Sequence, residues 1–118
     1  MTFYDSRGNA VAYLSDDDTI YLYGGKPVAY LHGPLVYAFS GKQLGRFENG
    51  WVRDNNGCCV FFTDGKTYGG PVKPVTHVKP VKSVARVKSL KSVRQVPRVK
   101  SVDSLAWSSL SGEGFFLQ

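Results

Sequence analysis

Gly8, Gly25, Gly41 and Gly57 mark the first half of the chain at intervals of 17, 16 and 16 residues, and a similar segment surrounds each one. Phe3-Tyr4-Asp5-Ser6-Arg7-Gly8 leads to Val11-Ala12-Tyr13-Leu14, and Ile20-Tyr21-Leu22-Tyr23-Gly24-Gly25 leads to Val28-Ala29-Tyr30-Leu31. The third copy runs from Val36-Tyr37 through Gly41 to Leu44-Gly45-Arg46-Phe47, the fourth from Val52-Arg53-Asp54 through Gly57 to Val60-Phe61-Phe62. An internal repeat constrains architecture more than any local propensity does, so roughly 65 residues read as one small unit used four times.

A glycine at this point suits the third residue of a three-residue hairpin loop, where the left-handed conformation is cheap only for Gly. That placement sets an expected register. Phe3 faces Val11, Ile20 faces Val28, Val36 faces Leu44 and Val52 faces Val60, all apolar pairs on one face. The opposite face carries Tyr4, Tyr21, Tyr37 and Arg53, one per repeat, beside small partners such as Ala10 and Pro27. Asp5 and Asp54 open their turns, where a short carboxylate can accept a backbone N–H two residues on. Further tight connections lie at Ser15-Asp16-Asp17-Asp18, His32-Gly33-Pro34 and Glu48-Asn49-Gly50. Asn49-Gly50 is a strong two-residue turn signal. The expected fold is all-β: four sequential hairpins with pseudo-fourfold symmetry, with Asp64-Gly65 turning one further short strand through Tyr68.

These residues resemble the four-fold β-flower domain, a small bacterial family whose hairpins surround a pseudo-fourfold axis. The resemblance rests on Tyr4-Asp5 with Gly8, Ile20-Tyr21 with Pro27-Val28-Ala29-Tyr30, and Val36-Tyr37 with Leu44-Gly45-Arg46-Phe47. Gly50-Trp51-Val52-Arg53-Asp54 and the late Trp107-Ser108 with Phe115-Phe116 also fit. It implies a fold, with the hairpins splayed as petals rather than closed into a barrel. It implies no activity and no catalytic residues.

The second half is built differently. Residues 70–105 carry nine basic side chains (Lys73, Lys79, Lys82, Arg86, Lys88, Lys91, Arg94, Arg98, Lys100) against Asp103 alone, a net +8, while the rest of the chain is −2. Val or Leu occupies every third position from Val72 to Leu105, twelve in series. An α-helix would spiral these residues and a strand would alternate them. Three residues per turn lines them up, as in a polyproline II helix, which Pro71, Pro74, Pro80 and Pro97 also favour. Thirty-six such residues would extend roughly 110 Å. The organisation expected is therefore a hairpin domain at 1–69, an extended basic tail at 70–105, and an aromatic segment at 106–118 that docks back on the domain or serves a partner as a linear motif. Two states of the tail compete. A free tail is disordered and low in complexity. A folded one places its valines inward and presents its lysines to solvent.

Chemistry is sparse. His32 and His77 have no second ligand at metal spacing, and Asp16-Asp17-Asp18 lacks the alternation of a calcium loop. Cys58-Cys59, the only cysteines, are adjacent and point to opposite faces of a strand, so they read as small apolar residues rather than a metal or disulfide pair. No serine sits in a nucleophile elbow, and no glycine pair is followed by a phosphate-loop lysine. No catalytic, cofactor or metal residues are expected. Arg46, where other repeats carry Tyr13, Tyr30 and Phe62, is expected to pair with Asp5, Glu48 or Asp54.

Two readings of function follow. One is a non-enzymatic interaction module that binds an unidentified protein or self-associates. The other is a sequence-independent binder of nucleic acid or another polyanion through the nine basic residues of the tail. The row Tyr4, Tyr21, Tyr37 and Arg53 could form an aromatic stacking face or a packing layer. An anionic membrane surface ranks lower, since valine anchors poorly at an interface. The start of the chain has no basic region followed by an apolar run, which points to the cytoplasm.

Overall fold

A computed structural model describes all residues 1–118. Eight strands follow in chain order: β1 (Thr2–Tyr4), β2 (Ala10–Leu14), β3 (Thr19–Leu22), β4 (Pro27–His32), β5 (Leu35–Tyr37), β6 (Gln43–Glu48), β7 (Trp51–Asp54) and β8 (Cys59–Thr63). Each pairs antiparallel with its neighbours, and β8 returns to β1 through Phe3↔Thr63 and Tyr4↔Phe62. The hairpins therefore close into a barrel rather than splaying as petals. Closure removes the two sheet edges that an open eight-strand meander would expose.

The four glycine turns form as expected. Gly8, Gly25, Gly41 and Gly57 have φ of 83°, 96°, 93° and 88°. In the first, Gly8 N–H donates to Asp5 C=O and Asp5 N–H to Asn9 C=O, both at 3.0 Å, and the other three repeat the pattern. Asp5 Oδ1 accepts the N–H groups of Arg7 and Asn9, while Asp54 Oδ1 accepts those of Asn56 and Cys58.

The register departs from expectation at one point in every hairpin. Phe3 pairs with Ala12, not Val11, and Tyr4 pairs with Ala10. The same step leaves Val28, Leu44 and Val60 without a partner, because Ile20, Val36 and Val52 oppose Ala29, Gly45 and Phe61. Each hairpin thus carries one β-bulge, which adds twist and bends the ribbon enough for short strands to close a ring. Alternation alone cannot locate it, since the bulge turns two successive side chains toward the same face. The extra strand expected through Tyr68 does not form. Tyr68 N–H bonds Asn49 C=O at 3.0 Å, but its side chain is exposed.

The interior is filled by Phe3, Ile20, Val36 and Val52 from the odd strands, by Ala12, Ala29 and Phe61 from the even ones, and by the bulge residues Leu44 and Val60. Such a short barrel leaves one end open, and the C-terminal 3-10 helix Glu113–Leu117 fills it. Phe115 and Phe116 pack on Phe61 with ring centroids 5.7 and 5.5 Å away. Trp107 makes a parallel bridge to Cys59 and stands 5.5 Å from Trp51.

Between β8 and this plug, residues 70–105 form neither helix nor strand and circle the outside of the barrel. The molecule measures 36 × 36 × 22 Å, so a path around its rim is about 113 Å long. That matches the roughly 110 Å expected of thirty-six residues at three per turn. One physical detail ties belt and barrel together. The space where a side chain would stand on Gly8, Gly25, Gly41 and Gly57 is filled by the carbonyls of Val75, Val84, Val93 and Val102 in turn. Gly25→Ala is therefore expected to lower stability by more than the roughly 1–2 kcal/mol of a left-handed alanine, because its methyl also collides with the belt. Its neighbour Gly24 has open space and ordinary φ, so Gly24→Ala should be neutral or slightly stabilising. Thermal unfolding of both variants, with hydrogen exchange at the Arg86 amide that bonds Gly25 C=O, checks this pair of outcomes.

Candidate functional site

The belt is where the chemistry-bearing residues collect, and its order is set by a nine-residue unit laid over the triplets. Val-Lys-x-Val-x-x-Val-x-x runs through 72–80, 81–89, 90–98 and 99–107, with Leu90 and Leu105 in two valine places. One unit passes each hairpin. A three-residues-per-turn helix has three faces, and each face has one task here. Amides two residues after a triplet position, those of His77, Ser83, Arg86, Ser92, Gln95 and Ser104, donate to the carbonyls of Gly8, Tyr23, Gly25, Phe39, Gly41 and Gly57 at 2.8–3.1 Å. Pro74, equivalent to Ser83 and Ser92, has no N–H to offer.

The triplet face points away from the barrel. Eleven of its twelve aliphatic side chains are 86–95% exposed, and Leu105 is 69% exposed. This reverses the expectation for a folded tail, in which valines would be inside and lysines out. The backbone, rather than the aliphatic edge, is what docks.

The remaining face carries the lysines back onto the barrel. Where one hairpin meets the next, the outer wall holds a cross-strand pair: Tyr13 with Tyr21, Tyr30 with Tyr37, Phe62 with Tyr4, and Arg46 with Arg53. The three aromatic pairs stack at 5.3–6.0 Å between centroids. Lys82, Lys91 and Lys73, second residues of their units, lie 4.2, 4.3 and 5.7 Å from the rings of Tyr13, Tyr30 and Phe62. Such contacts contribute about 0.5–1 kcal/mol each at exposed sites. The row Tyr4, Tyr21, Tyr37 and Arg53 is therefore buried under the belt, at 1–8% exposure, and offers no stacking face to solvent.

The other lysines meet acids. Lys79 bonds Asp64 at 3.1 Å, Lys88 bonds Asp17 at 2.6 Å, and Lys100 lies 3.3 Å from Glu48 and 3.9 Å from Asp103. The Lys88 ammonium, helped by Ser15 and Thr19, holds the Asp17 carboxyl well below the usual carboxylate range. A depressed native pKa stabilises above about pH 4 and is lost as pH falls. Of the nine basic candidates, Arg86, Arg94 and Arg98 alone have side chains with neither an acid nor a ring partner.

The fourth sector breaks the symmetry. Arg53 is buried, and its guanidinium donates to Gly69 C=O, where the belt starts, and to Gly57 and Ser104 C=O, where it ends. Its Nε stands 3.6 Å from Asp103. Arg53 is the buckle of the belt. Arg46 pairs with none of Asp5, Glu48 and Asp54 and instead donates to Arg98 C=O at 2.9 Å. Gln43, fully covered, accepts the Arg98 N–H on Oε1, and its backbone N–H donates to Gln95 Oε1. The sequence signal for all this was the nine-residue spacing of Lys73, Lys82, Lys91 and Lys100, which the triplet period hides.

Cys59 lies beneath the end of the belt, and burial pushes its thiol up to about 11, with Arg53 opposing the shift. Cys58 is half-exposed. In the native protein a small alkylating reagent at pH 8 is expected to label Cys58 and spare Cys59. Arg53→Met takes the guanidinium from the Gly69, Gly57 and Ser104 carbonyls, of which Gly57 keeps the Ser104 N–H, and leaves Asp103 with Lys100 alone; it should cost about 3 kcal/mol and open Cys59 to labelling. Mass spectrometry of the labelled chain reads both effects.

No curated protein and no solved structure matches the chain. A family model, described as 4-fold beta flower protein, matches residues 1–116, which takes in the barrel, the belt and both plug phenylalanines. Four glycine-turned hairpins, four belt units and one terminal plug are thus matched as a single unit, and the chain belongs to the 4-fold beta flower protein family.

Proposed function

We propose that this protein is a non-enzymatic interaction module: a small barrel that holds an extended segment in a fixed conformation and displays its aliphatic edge to a protein, another copy included. The observation that carries the reading is the outward ring of twelve aliphatic side chains. Isolated exposed valines are ordinary, but a continuous apolar edge on a soluble surface marks an interaction site. Extended segments with three residues per turn are bound at low entropic cost because their conformation is preformed. Here the barrel supplies that order through backbone bonds, leaving the aliphatic face free.

The ring is tested by substituting Val78, Val87 and Val96 with serine. All three project outward, so stability should change by no more than about 0.5 kcal/mol. Sedimentation velocity over a concentration series should show association in the unaltered protein and its loss in the triple variant. If both remain monomeric, self-association is excluded and the edge is left to a different protein.

The polyanion reading keeps support from Arg86, Arg94 and Arg98 alone, since the six lysines face rings or carboxylates. Binding to duplex DNA should therefore be weak, with a log–log salt slope of about −3 rather than the about −8 of nine free cations. A slope near −8 would mean that the belt leaves the barrel on DNA.

A further inference from the structure

The belt junction accounts for Arg53 in the fourth sector but not for Arg46. Three seams put a stacked aromatic pair beneath a lysine, and Arg46 stands where those seams have Tyr13, Tyr30 or Phe62. Arg46 and Arg53 sit directly opposite each other on β6 and β7, an arrangement that is unfavourable between like charges. Asp103 answers Arg53, but no carboxylate lies within ion-pair distance of Arg46 or of Arg98 beside it. Lys100 stands on the same rim, already shared between Glu48 and Asp103.

These groups line one polar cleft between the hairpin-3 and hairpin-4 strands and the last belt unit, with Val99 its one apolar residue. Two carboxylates also line it: Asp54 Oδ1 accepts the Asn56 and Cys58 N–H groups, and Asp103 faces Arg53 and Lys100, so with Arg46, Arg53, Arg98 and Lys100 the lining stays net positive. Asn55 Nδ2 donates to Gln43 C=O, Ser101 Oγ to Asn55 C=O, and Arg98 N–H to Gln43 Oε1. Among the lining side chains, the donors left over are the Arg98 guanidinium and the Arg46 N–H groups beyond the one that holds Arg98 C=O. The interior of the cleft is narrow, so a ligand has room only at its opening.

We propose that the mouth of this cleft is a binding site for a small phosphate-type oxyanion, held by Arg46 and Arg98 with Lys100 at its edge. Guanidinium groups match tetrahedral oxyanions through paired N–H donors, and an added negative charge relieves the repulsion built into the Arg46–Arg53 pair. The site also couples to the belt, because Arg98 belongs to it and Arg46 holds its Arg98 carbonyl. This inference is independent of the aliphatic ring.

The test titrates inorganic phosphate against the full chain at constant ionic strength, with chloride as the reference ion, following arginine side-chain N–H resonances and the melting temperature. Saturable shifts at Arg46 and Arg98 are expected. Arg46→Tyr recreates the aromatic seat of the sibling sectors and should fold, yet weaken phosphate binding about tenfold or more. Arg98→Gln should do the same. Arg94→Gln removes the same charge from the belt away from the cleft and should change nothing. Equal losses in Arg94→Gln and Arg98→Gln, or shifts that never saturate, would overturn the site as general charge attraction. Duplex DNA binding that needs Arg46 and Arg98 without any response to free phosphate would reassign these arginines to a polymer backbone and also overturn it.

Discussion

Everything outside the barrel depends on one backbone contact made four times. At each hairpin tip a glycine in the left-handed region leaves room for a belt carbonyl, and its own carbonyl takes a belt N–H. Both requirements fall on the same residue. A side chain there would be strained by φ and would collide with the belt. The contact also forces a ratio, since one hairpin of about sixteen residues must be passed by nine residues of extended chain. Three triplets do this while keeping the same face inward at every tip. The belt can therefore circle the whole barrel without drifting out of register.

Charge follows from that geometry. A highly basic extended segment alone would be a solvated tail. Laid against the barrel, it brings a lysine over each aromatic seam and further lysines beside turn carboxylates. Where the barrel changes, the belt changes with it. The turn at His32-Gly33-Pro34 has no acid, and Pro97 stands nine residues beyond Lys88 in place of a lysine. The seam that loses its aromatics gains Asp103, and there Arg53 joins the first and last carbonyls of the belt. An encircling chain needs such a junction, because its two ends meet in one sector and leave their backbone groups unpaired.

The hairpins were legible in the sequence because their determinants are local. Positive-φ glycines, Asx turns and Asn49-Gly50 each specify a turn within a few residues, and fourfold repetition reinforces them. The bulges were not. They swap the partner of Phe3, Ile20, Val36 and Val52 by one place while leaving inward and outward residues almost unchanged, so the apolar pattern fits either register. Closure was not legible either, since β1 and β8 are joined only through space, and neither edge differs in composition from a paired strand.

The repeats are written in the linear chain: four hairpin units, a three-residue period in the tail, and a basic segment against a mildly acidic domain. These are periodicities and compositions, which one chain carries in linear form. Which way the tail faces was decided only in three dimensions. Burying apolar side chains favours valines inward, but the barrel wall is already filled by its own aromatic pairs and offers carbonyls at its glycine tips. Backbone hydrogen bonds claim the inner face, aromatic rings and carboxylates claim the lysines, and the valines take the side that remains. The candidate sites have the same origin. Arg46 and Arg98 are 52 residues apart, and only a belt drawn once around the barrel brings them together.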